Sequence, residues 1–108
     1  MISVLFLKDK DDHCVGFHFE GHAEYADPGG DIVCSAASVL VINTMNALEA
    51  FTEDTYSQGT DEERGMVDVS FPEGLSHDAD LLIRSLIMGV TSLEEQYGDY
   101  IHVEFEEV

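Results

Sequence analysis

The chain has 108 residues, enough for one domain spanning 1–108 and too few for two. With 44% hydrophobic residues and only two prolines it can bury a core without disulfides or metal, and disorder along most of its length is disfavoured. Its 23 acidic residues against Lys8, Lys10, Arg64 and Arg84 leave a formal net charge of -19, which argues against nucleic acid and anionic membrane surfaces as direct partners.

A basic partner fits that charge, and so does acidity kept for solubility. No run reaches the ~18 to 20 apolar residues of a membrane span. The stretch Ile2 to Leu7 is too short for a secretory signal, so the expectation is a cytoplasmic protein with Cys14 and Cys34 as free thiols.

The chain opens as two strands. Ile2, Val4 and Phe6 alternate with Ser3, Leu5 and Leu7, and Val15, Phe17 and Phe19 alternate with Gly16, His18 and Glu20, with Asp9 to Asp12 as the turn. The pattern stops over Gly21 to Gly30. Pro28, Gly29 and Gly30 mark a loop, and Asp31 stands where a helix N-cap belongs. From Ile32 to about Ala50 the apolar residues fall on a helical repeat, and Ile32, Val39, Ile42 and Met45 widen the stripe until a helix buried on most sides is expected.

Thr52 to Tyr56 is read as a third strand, Ser57 to Gly65 as a hairpin loop, and Met66 to Phe71 as a fourth strand ended by Pro72 and Gly74. Ser76 or Asp78 then caps a second helix carrying Leu82, Leu86, Val90, Leu93 and Tyr97, with Gly98 as its stop and Tyr100 to Glu106 as a closing strand. The order predicts an α+β fold: a two-layer sandwich of about five mixed or antiparallel strands with both helices on one face.

Chemistry concentrates between Gly21 and Cys34. A cysteine in the first turn of a helix meets free backbone N–H groups and the positive end of the dipole, which favours thiolate. His22 ends the preceding strand, and the intervening loop is long enough to fold back, so a base and a nucleophile can meet. The plainer readings stay open: Cys34 as a small buried hydrophobe and His22 as a strand-end residue bonded to backbone or water. Asp31 is read first as the N-cap and second as a group orienting His22, since a carboxylate beside a thiol opposes its ionisation.

Cys14, His18, His22 and Cys34 lack zinc-site spacing, and no lysine follows Gly29 and Gly30 to make a phosphate loop. No metal or cofactor is expected.

The residues Gly21-His22-Ala23, Gly29, Asp31-Ile32-Val33-Cys34, Ser38, Asn46 and Ala47 resemble the ribosomal-processing cysteine protease family, Prp. The resemblance implies a small cytoplasmic endopeptidase, usually a homodimer, that removes an N-terminal extension from large-subunit ribosomal protein number twenty-seven after a pair of aromatic residues. It places Cys34 as nucleophile, His22 as general acid/base and Asp31 at an acidic position near them. Ser35 departs from the more usual alanine. On this reading the Cys34 amide is the first oxyanion donor and a Gly29 or Gly30 amide the second, the glycine loop closes over the peptide, and Tyr25 lines an aromatic pocket. The alternatives are a non-enzymatic acidic module binding a basic partner, and a redox or metal-responsive protein using Cys14 and Cys34.

Overall fold

Alternation along β1 (Ile2–Lys8) puts Ile2, Val4 and Phe6 on one side, and the same side of β2 (Cys14–Glu20) carries Phe17 and Phe19. The antiparallel register pairs Phe6 with Phe17 and Val4 with Phe19, so four large side chains form one apolar patch with ring centroids 5.8–6.3 Å apart among the three phenylalanines. β3 (Ser57–Asp61) and β4 (Met66–Ser70) form a second hairpin, and β5 (Ile101–Glu107) runs parallel to β1. The sheet order β3-β4-β2-β1-β5 makes the sheet mixed, as predicted. The computed structural model describes residues 1–27 and 31–108.

Two helices cover the apolar face: α1 (Ile32–Phe51) and α2 (His77–Tyr97). Val33, Ala37, Val41 and Leu48 of α1 and Ile83, Leu86 and Val90 of α2 are buried with the sheet residues, and each fully buried Leu, Ile or Phe contributes roughly 1.5–3 kcal/mol. Ser76 caps α2 by accepting from the Ala79 amide at 3.2 Å, and Asp54 holds Ser76 in turn through its amide and hydroxyl. Gly98 caps the far end in a right-handed conformation, so its freedom to adopt positive φ is not what stops the helix.

Two expectations are corrected. The third strand is Ser57–Asp61, where a loop was expected, and the hairpin turn is only the four residues that follow. β3 is an edge strand with both faces largely exposed, so it carries no apolar alternation and its Gly59 imitates a turn. The first helix is not buried on most sides: Val39 is 64% and Ile42 58% exposed, because only the face carrying Val33, Ala37, Val41, Thr44, Met45 and Leu48 is buried.

Candidate active site

Asp31 organises the approach to α1. Its Oδ1 accepts from the Val33 and Cys34 amides, both at 3.0 Å, which makes it the N-cap. Its Oδ2 accepts from the Tyr25 amide at 3.0 Å, tying the incoming loop to the same carboxylate. Burial pushes this carboxyl up, but the amides of Cys34, Tyr25 and Ala26 outweigh it and hold Asp31 below the usual carboxylate range. Both oxygens accept from backbone amides, and the Cys34 side chain adds to their hold on the carboxylate, the cap geometry rather than that of an acid orienting His22. The Cys34 amide is committed as well, which corrects its expected place as first oxyanion donor.

The tie brings the end of β2 to the first turn of the helix. The Ala23 amide donates to Cys34 Sγ at 3.2 Å, a contact that complements negative charge on the sulfur. Cys34 is half-buried and His22, next to Ala23, is exposed. The His22 imidazole donates through Nε2 to the Glu63 carbonyl at 3.0 Å, in the turn between β3 and β4.

His22 and Cys34 line one cleft of about 540 Å³ between α1 and the β3–β4 hairpin. Its floor and walls are apolar where Val41, Met45, Tyr56 and Met66 contribute, while Ser38 and Asn46 from α1 supply neutral polar groups and Glu49, Asp61 and Glu62 supply acid. Tyr56, Met66 and the turn residues escaped the sequence reading, because nothing local connects a second hairpin to the start of α1. Tyr25 is corrected: it does not line the cleft but packs edge-on against Tyr97 and Tyr100, with centroids 5.7 and 5.0 Å away. Gly29 and Gly30, the loop and oxyanion candidates, lie outside the described residues.

The remaining cysteine and histidine candidates go elsewhere. Cys14 is a free thiol in the core that donates to the Gly16 carbonyl at 3.3 Å, and burial pushes it up. His18 is held between Glu20 and Asp68. Among the described residues, the group whose ligand atoms gather within 4.8 Å is Asp9, Asp11 and His13 in the β1–β2 turn, and it contains none of the four considered for zinc.

Residues 1–102 match the model of the family described as cysteine protease Prp. The chain belongs to the cysteine protease Prp family. It is therefore an enzyme, a cysteine protease, and not the non-enzymatic acidic module that its charge left open. A Bacillus subtilis relative named ribosomal processing cysteine protease Prp is 28% identical over 107 residues, covering 95% of this chain and 96% of the relative. A Staphylococcus aureus Prp of the same name is 24% identical over 87 residues, covering 81% of this chain and 82% of the relative. In fold, the crystal structure of an essential S. aureus ribosomal processing protease Prp with a covalently linked product peptide superposes with a TM-score of 0.94 at 23% identity, over 98% of this chain and 100% of that one. A Streptococcus mutans protein superposes with a TM-score of 0.88 at 28% identity, over 100% of this chain and 96% of that chain.

Proposed function

We propose that Cys34 and His22 are the catalytic pair of an endopeptidase that removes the N-terminal extension of large-subunit ribosomal protein number twenty-seven, cutting after a pair of aromatic residues. The observation that carries this reading is the 3.2 Å contact between the Ala23 amide and Cys34 Sγ, which sets the histidine-bearing strand end against the helix start inside a cleft. The relatives' name, ribosomal processing cysteine protease, and an S. aureus Prp structure in complex with a substrate peptide support the choice of a ribosomal precursor. The apolar Val41, Met45 and Met66 with Tyr56 suit aromatic side chains next to the scissile bond.

In the proposed reaction the Cys34 thiolate forms a bond to the scissile carbonyl carbon, the C–N bond breaks, and the imidazolium of His22 gives its proton to the leaving amine. The imidazole then takes a proton from water, whose oxygen attacks the thioester and releases the new carboxylate, regenerating the thiolate. No cofactor enters. Asp31 acts by holding loop and helix together.

The test is digestion of the ribosomal precursor followed by mass spectrometry of the products. The wild type yields one cut after the aromatic pair; His22→Ala slows it by about 10²–10⁴-fold and Cys34→Ser abolishes it, with circular dichroism unchanged. Iodoacetamide modifies Cys34 well before the core thiol Cys14. Near-native turnover in either variant would falsify the assignment.

We also infer a cytoplasmic homodimer; the exposed apolar Ile32 and Val39 of α1 support the second subunit. Sedimentation should give twice the mass of 11.9 kDa, and Val39→Glu should shift it toward monomer. A wild type that sediments as a monomer at every concentration removes the dimer.

A further inference from the structure

We propose that the β3–β4 turn is the positioning element for His22: its Glu63 carbonyl fixes Nε2 as the protonated nitrogen, Gly65 allows the close approach this needs, and Nδ1 is left to exchange protons with Cys34. This rests on the catalytic reading of His22 and Cys34 above and adds which ring atom acts and what holds it.

A carbonyl oxygen only accepts, so the 3.0 Å contact to Glu63 requires a hydrogen on Nε2. In the neutral ring the lone pair is then on Nδ1. Side-chain carboxylates usually orient catalytic imidazoles, but Asp31 gives both of its oxygens to amides. A backbone carbonyl from a residue 41 positions along the chain takes that place.

The turn that presents it is pinned to the residue before His22. The Gly21 amide donates to the Arg64 carbonyl at 3.0 Å, the Arg64 guanidinium donates to Glu20 at 2.8 Å, and the Arg64 amide donates to Asp61 Oδ1 at 3.2 Å. Gly65 sits at φ +62, and a Cβ there would lie 2.5 Å from the Gly21 carbonyl oxygen and 3.1 Å from His22 Cε1. The first neighbour is backbone, so no rotamer change relieves the clash. Any side chain at 65 must move the turn away from the strand end, and the Glu63 carbonyl moves with it.

The decisive measurement is 15N NMR of the histidine rings in Cys34→Ala at about pH 8.5, where an ordinary imidazole is neutral and no thiolate can draw a second proton onto the ring. The expected result for His22 is a pyrrole-type shift at Nε2 and a pyridine-type shift at Nδ1. The opposite tautomer, or an averaged mixture, overturns the proposal, and neither outcome depends on turnover.

Kinetics supply the second arm. Gly65→Ala should lower kcat by roughly 10- to 100-fold with KM little changed, and mix the His22 tautomers in the Cys34→Ala background. Gly65→Asn, which tolerates positive φ yet carries the same Cβ, should be equally impaired. Wild-type kcat in either variant overturns the proposal; where a variant does not fold, the ring shifts of the Gly65-containing protein decide it. Retained cleavage by His22→Ala would instead sink the underlying catalytic reading.

Discussion

Asp31 spends its two oxygens on different parts of the chain: Oδ1 on the first turn of α1, Oδ2 on the loop that arrives from β2. Deleting the carboxyl should therefore do two things that a simple cap loss does not. Asp31→Ala is expected to lower the melting temperature by about 4–8 °C, the usual effect of an N-cap in a domain this size, and to cut cleavage by a larger factor than unfolding explains. Asp31→Asn keeps an acceptor for the helix but turns an amide donor toward Tyr25 or the helix, so it should recover most of the stability and little of the activity. Thermal unfolding and precursor cleavage on both variants read the two effects separately. Equal recovery of both by asparagine would reduce Asp31 to a cap alone. This residue was legible in the sequence because capping is local: the acceptor and the amides it serves lie within three residues. The Glu63 carbonyl on His22 was not, because that contact depends on where a second hairpin lands.

At the scale of elements, β2 and β4 are cross-linked on the side of the sheet that the helices leave open. His18 pairs in register with Asp68, and its ring binds Glu20 at 2.9 Å and Asp68 at 3.0 Å. The Glu20 hydrogen bond first, and Asp68 after it, hold His18 above the usual histidine range against partial desolvation. His18 and Arg64 hold Glu20 below the usual carboxylate range, so the pair survives moderate acid. A histidine raised by folding adds stability that is fully present below the unfolded value of about 6.5 and is lost as pH rises through the folded value. His18→Gln should thus lower the melting temperature at about pH 6, with the difference closing toward about pH 9. A difference that stays constant across that range would mean the ring contributes packing rather than charge.

β1, β2 and β5 announced themselves by alternation, β4 by the Pro72 and Gly74 that end it, and both helices by their repeat and caps. β3 did not, since an edge strand of Ser, Gln, Gly, Thr and Asp has no buried face to pattern. The exposure of Val39 and Ile42 was equally hidden: a repeat tells which residues could be buried, and the size of the covering layer decides how many are.

The charge of the whole molecule makes opposite demands on binding and on folding. Four basic side chains stand against 23 acidic ones, which leaves the net charge of -19, and two of the four are held in local pairs, Arg64 with Glu20 at 2.8 Å and Lys8 with Asp12 at 3.3 Å. Like charges repel in the compact state, while the same field would draw in a basic substrate of the kind proposed, and both effects extend only over the Debye length. That length shrinks from about 30 Å at 0.01 M salt to about 3 Å at 1 M. Raising salt across this range should stabilise the fold, seen as a rising melting temperature, and at the same time depress the cleavage rate at substrate concentrations well below KM. Saturating substrate should remove most of the rate effect, because steering acts on encounter and not on bond cleavage. A rate at low substrate that is flat in salt while the melting temperature rises would leave the acidity as a burden on stability with no part in capture. Parallel loss at low and saturating substrate would place the salt effect inside the cleft, at Glu49, Asp61 and Glu62, rather than in the long-range field.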